Sequence, residues 1–148
     1  MGNRYIISRD NVTPTGAQDV LTCISGANRR IRVVEVSIAG RGSSSAAQQV
    51  QIGRSSAGTT PGGAITPGKA DHSEQPAANF TTSTTWSVQP TLETNYEVVG
   101  WNALGGANRW IPPKGTLLEA RNGENISVRA PSGPTYQATS FSVIIEED

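Results

Sequence analysis

The chain has 148 residues, enough for one domain with a core of its own but short of two independent ones. Its 12 Lys and Arg balance 12 Asp and Glu, and charged residues make up only 16%, which excludes a nucleic-acid binder built on a basic surface and disfavours acidic or membrane-surface partners. A single cysteine rules out an intrachain disulfide and a cysteine-based zinc site, and weak, balanced charge suits a protein that packs against copies of itself.

The opening MGNRYIISRD lacks the apolar stretch of a signal peptide, and nowhere do about 18 apolar residues run together, so a product made in the cytoplasm and without a membrane partner is expected. Tyr5, Ile6 and Ile7 predict a strand over 4–8; otherwise residues 1–19 are a candidate N-terminal arm. A second strand is expected over 20–25, with Cys23 as a small buried hydrophobe, followed by a turn at Ser25-Gly26-Ala27-Asn28. Arg29, Arg30 and Arg32 form the one basic run, at the entry to the most apolar strand, 31–39. Alternation there places Val34, Val36 and Ile38 on one face, with Arg32 extending that row, and Val33, Glu35 and Ser37 on the other. The arginines read either as a solvated strand end or as partners for acidic groups of a neighbour, with Glu146, Glu147 and Asp148 as the candidates. In 48–55, Val50 and Ile52 share a face with glutamines between them.

From 55 to 85 the periodicity disappears among Gly58, Pro61, Gly62, Gly63, Pro67, Gly68 and Pro76. This predicts one long irregular loop, read either as a flexible linker or as a contact arm ordered by a neighbouring subunit, with Phe80 and Trp86 anchoring its end. Strands follow over 95–102, 116–120, 125–130 and 138–146, giving about eight at the spacing of a sandwich or barrel. Asn122-Gly123 is a strong hairpin signal, and Pro131-Ser132-Gly133-Pro134 ends the strand before it. Between Gly100 and Pro113, Trp101, Arg109 and Trp110 mark a bent aromatic segment suited to a subunit interface, to core plugging or to stacking on a sugar.

The residues offer little chemistry. The sole histidine, His72, lies in the irregular loop away from any GxSxG-like turn, and Asp71, His72 and Glu74 read as solvated loop residues. Glu93 with Glu97 and Glu119 with Glu124 read as surface charges rather than glycosidase pairs, and no glycine-rich loop carries the lysine of a phosphate cradle. No enzyme, catalytic residue, cofactor or metal is expected.

Trp101-Asn102-Ala103-Leu104 through Arg109-Trp110-Ile111-Pro112-Pro113, then Asn122-Gly123-Glu124-Asn125-Ile126-Ser127-Val128-Arg129, and a last strand ending Phe141-Ser142-Val143-Ile144-Ile145-Glu146-Glu147 resemble the jelly-roll capsid decoration, or cement, proteins of tailed phages. The resemblance covers roughly the last third of the chain; the first half shares only a strand pattern. It implies an antiparallel β-sandwich of jelly-roll type, a homotrimer seated on the major capsid protein, and a place on the exterior of a bacteriophage virion. Composition, rather than any family motif, nominates Arg29, Arg30, Arg32, Phe80, Trp86, Trp101, Arg109 and Trp110 as interface residues. The alternatives are a receptor- or glycan-binding head of a phage fibre using the segment from Trp101 to Trp110, and a tail or head-completion protein.

Overall fold

Short apolar runs cut by Gly, Pro, Asn and Ser carry no helical repeat, and the chain folds accordingly. The computed structural model describes residues 2–56, 58–114 and 118–148, and every regular element among them is a strand. In chain order these are β1 (Asn3–Val12), β2 (Gln18–Ile24), β3 (Arg30–Gly40), β4 (Ala47–Ser55), β5 (Thr59–Gly62), β6 (Gly68–Lys69) and β7 (Thr81–Ser83). They continue with β8 (Thr85–Val88), β9 (Leu92–Asn102), β10 (Ala107–Trp110), β11 (Glu119–Arg121), β12 (Asn125–Ala130) and β13 (Thr139–Glu147).

Sheet A has the order β10-β3-β13-β1-β6, with β11 also on β3; sheet B has the order β7-β2-β12-β4-β9; β5 and β8 form a separate ribbon. The long strands pair in a nested way, β1 with β13, β2 with β12, β3 with β10 and β11, and β4 with β9, all antiparallel. The chain is thus a two-stranded ribbon folded at β4–β9, and rolling it brings β13 against β3 and β12 against β4. The two sheets enclose one core, supplied from sheet A by Tyr5, Ile7, Val36, Phe141 and Val143 and from sheet B by Leu21, Val50, Ile52, Ile126 and Val128. Burial of these side chains, about 25 cal/mol per Å² of apolar surface, is the main force holding the sheets together. Trp101 and Phe141 meet edge to face across the core, ring centroids 5.8 Å apart.

Four expectations change. In β3 the inward residues are Ile31, Val33, Val36 and Ile38, so Val33 belongs inside and the predicted row through Val34 is broken. The cause is a bulge: Ile145 faces Val33 and Ile144 faces Glu35, leaving Val34 unpaired and reversing the alternation. Asn122 and Gly123 do adopt the left-handed backbone of a tight turn, φ 52° and 87°, but the strands they join belong to different sheets, so the turn is an arch rather than a hairpin. The segment 55–85 is not one irregular loop; it contributes β5, β6 and β7. Residues 3–12 are a strand paired along its length with β13 and at Tyr5 and Ile6 with β6, which leaves little of 1–19 to reach outward as an arm. Of the strand expected over 116–120, residues 116 and 117 lie outside the described residues, and the described strand is Glu119–Arg121.

Candidate functional site

The two flanks of the sandwich are treated differently by the sequence. On one flank β6 pairs with Tyr5 and Ile6 of β1 and β7 with Thr22, Cys23 and Ile24 of β2, so the segment 55–85 covers part of each sheet edge with this chain's own residues. Its fastenings are specific. Phe80 is buried edge to face on Tyr5 at 5.6 Å, and the Tyr5 hydroxyl donates to the Pro76 carbonyl at 3.0 Å. The buried Gln75 side chain donates to the Arg4 carbonyl and accepts from the backbone N–H groups of Asp71 and His72.

A buried polar node ties down the end of the same segment. A bulge at Val20 puts Asp19 and Thr22, three residues apart, on the same outer face of sheet B. The Trp86 indole N–H donates to Thr22 Oγ1 at 2.9 Å, and the Thr22 hydroxyl donates to Asp19 Oδ2 at 2.6 Å. Ser127 also donates to Oδ2, so its single proton is committed and Ser55, 2.7 Å away, must be the donor to Ser127. Arg129 Nε donates to Asp19 Oδ1 at 2.7 Å, and the same guanidinium donates to the Pro90 carbonyl. A carboxylate with no exposed side-chain surface is thereby fully satisfied, and the covering residues 86–90 are pinned to β2 and β12.

The opposite flank is open. Strand β9, 11 residues long, pairs with β4 on one side and with no strand among the described residues on the other. Val99 and Trp101 point into the core, whereas Tyr96 and Val98 stand on the outer face, 42% and 54% exposed. Beside the strand's inner face a cleft of about 270 Å³ lies between Asn95, Glu97 and Glu93 on one wall and Trp110, Pro112, Pro113 and Leu118 on the other. Arg54 and Glu93 form a two-pronged pair at its rim, both contacts 2.9 Å, and Glu119 is held by Arg121 at 3.0 Å. Neither Asn95 nor Glu97 hydrogen-bonds to another side chain among the described residues. The hydrogen bond from Arg54 is the main cause holding the Glu93 carboxyl below the usual range. Leu104 and Ile111, more than half exposed, lie in the chain beyond β9 and beyond β10.

The eight nominated residues separate into three groups. Phe80 and Trp101 are core side chains, so neither presents a surface to a ligand, and the Trp101 indole N–H has no hydrogen-bond partner among the described residues. Arg30, Arg32 and Arg109 are neutralised within the chain, by Asp148, Glu146 and Glu35 respectively, so the basic run meets the predicted acidic C-terminus inside one molecule rather than across a boundary. Glu146 is nearly buried between Arg32 and Arg4; burial pushes its carboxyl up, but the hydrogen bonds from those arginines outweigh that and leave it below the usual range. Arg29 is exposed, Trp86 closes the covered flank, and Trp110 lines the open cleft. Sequence reasoning missed Asp19 and Arg129, which are 110 positions apart and meet through a bulge; it grouped Tyr96 with Trp101 and Trp110 and missed its pairing with Val98 as a surface. The exposed pair had a signal: two large residues two apart on a strand, with Glu97 between them.

His72, Asp71 and Glu74 are all exposed, and no group of three His, Cys, Asp or Glu side chains gathers as a metal site among the described residues. Compared with known proteins, the chain matches no family model, no curated protein and no solved structure.

Proposed function

We propose that this protein is a capsid decoration protein of a tailed phage, a jelly-roll β-sandwich that assembles as a homotrimer and reinforces a shell by binding its major capsid protein. The nested pairing of β1 with β13, β2 with β12, β3 with β10 and β11, and β4 with β9 supports the jelly-roll reading, because a rolled two-stranded ribbon has this order. The observation that carries the assembly reading is the open flank: an 11-residue edge strand with Tyr96 and Val98 exposed, opposite a flank that the chain's own short strands cover in part. The particle and the trimer come from the resemblance in the last third of the chain. Packing of copies is favoured on the outer face of sheet A, where Ser8, Ser37 and Ser142 are small and the neighbouring charges are paired off as Arg109 with Glu35 and Arg41 with Asp10. Many modest contacts repeated over a lattice would give avidity without a deep pocket. A glycan-binding head built on both Trp101 and Trp110 is less favoured, since Trp101 is a core residue.

The test is native mass measurement in solution followed by addition to undecorated tailed-phage shells and co-sedimentation. A trimer that saturates the shells at a fixed copy number per capsomer is expected. A monomer that leaves the shells bare overturns the proposal, and saturation at one vertex per particle would replace it with a head-completion role.

A further inference from the structure

We infer that β9 is a docking edge for an extended segment of a partner protein whose side chains alternate between apolar and basic. The inference rests on the reading of this protein as an assembly module and names the chemistry of what its open flank receives.

Three observations lead to it. The first is the backbone: β9 is paired on one side only, and no backbone hydrogen bond among the described residues engages 93–99 from the other, so a row of N–H and C=O groups is free to accept a strand. The second is alternation. A strand added to β9 directs every other side chain to the outer face beside Tyr96 and Val98, which calls for apolar residues, and the intervening ones toward Asn95 and Glu97 at the cleft. The third is charge. Residues 92–102 contain Glu93 and Glu97 and no lysine or arginine. Glu97 has no partner side chain among the described residues, and it faces a wall that includes the Trp110 indole. A lysine or arginine entering there gains both the free carboxylate and an aromatic neighbour.

The same charges argue against a second copy of β9 as the occupant. Antiparallel pairing of two such strands brings two Glu97 carboxylates without partners onto one ribbon, with no cation on either strand and each Arg54 already engaged by Glu93. An acidic partner segment fails for the same reason.

The experiment uses the intact chain with a capped peptide alternating Val and Lys, and as controls a peptide alternating Val and Glu and a Val–Lys peptide N-methylated along one edge. Amide hydrogen exchange is expected to slow across 93–99 with the Val–Lys peptide and to stay unchanged with both controls. Binding is expected to weaken at least about tenfold in Glu97→Lys, and also in Val98→Lys, with rising salt weakening the wild type. Both positions are exposed, and thermal melts matching wild type verify that the variants fold. Unchanged exchange along β9 at saturating peptide, or equal affinity in Glu97→Lys, overturns the inference. So does a titration in which a neutral monosaccharide perturbs Trp110 while the Val–Lys peptide does not bind, since the cleft would then be a sugar site. Shell binding that survives both substitutions would sink this inference and leave the decoration role standing; peptide binding by a protein that ignores shells would do the reverse.

Discussion

Replacing Asp19 with alanine tests whether the polar node on sheet B holds the covering segment in place. The substitution leaves the Arg129 guanidinium, 13% exposed, with the Pro90 carbonyl as its remaining partner, and strips the acceptor from the buried Thr22 and Ser127 hydroxyls. Removing one member of a buried pair costs about 3–5 kcal/mol, and two hydroxyls with an acceptor lost add about 1 kcal/mol. A loss of about 4–6 kcal/mol is a large share of the roughly 5–15 kcal/mol that holds a domain folded. At about 2–4 °C per kcal/mol the melting temperature should fall by roughly 10–20 °C. The companion Asp19→Leu with Arg129→Met removes both charges and should recover most of the loss, because the cost lies in the orphaned charge. Urea unfolding of wild type, Asp19→Leu, Arg129→Met and the double variant gives the coupling energy directly. A single-variant loss below about 1 kcal/mol, or a double variant equal to the sum of the singles, would refute the account.

Other expectations follow from the same geometry. Trp86→Ala removes the indole over Thr22 and should cost about 2–3 kcal/mol, with amide exchange accelerating in 59–62 and 85–88 before the core strands respond. Glu146, held below the usual carboxylate range by Arg32 and Arg4, contributes stability that is complete above its unfolded-state pKa of about 4.3 and fades as pH drops toward its lower folded value. Asp148, lowered chiefly by its hydrogen bond to Arg30, acts in the same direction, so melting temperature should decline below about pH 4.5, and less steeply in Arg32→Gln. Burial pushes the Cys23 thiol up to about 12, so it should resist a thiol reagent at neutral pH until denaturant opens the core. Trp101→Phe removes an indole N–H that has no partner among the described residues, and a cost under about 1.5 kcal/mol is expected, well below that of Phe141→Ala at about 3–5 kcal/mol.

The all-β class, the positions of most long strands and the inward alternation of Val50 and Ile52 were readable from the sequence, since a period of two needs only local information. Bulges were not. The extra residue at Val34 reverses the faces of β3, and the one at Val20 moves Asp19 beside Thr22, yet each exists only because a partner strand remote in sequence skips a residue. The segment 55–85 misled for a related reason. Its strands are two to four residues long, below the length at which alternation registers; β6 and β7 form by borrowing the edges of β1 and β2, and β5 by pairing with β8. The basic run illustrates a third limit. Arg30 and Arg32 find the acidic C-terminus within their own chain, where a solvated strand end or the acidic groups of a neighbour were expected, because composition cannot tell which molecule Asp148 and Glu146 come from.

Edge strands are hazards that folded proteins blunt, and this chain blunts its two flanks by different means. On one flank short strands of the same chain, fixed by Phe80, Gln75 and Trp86, cover Tyr5 and Ile6 of β1 and Thr22 to Ile24 of β2, so the hydrogen-bonding groups there are spent internally. The other has no strand paired beyond β9 among the described residues and carries Glu93 and Glu97, with Arg54 drawn onto Glu93 and nothing among the described residues drawn onto Glu97. Negative charge on an exposed edge discourages pairing with an identical edge while leaving the backbone available to a basic one. Covering β9 would have made an inert domain, and leaving it neutral would have made one prone to self-pairing. Acidic residues at an open edge are the arrangement that permits one class of partner and disfavours copies of the same strand.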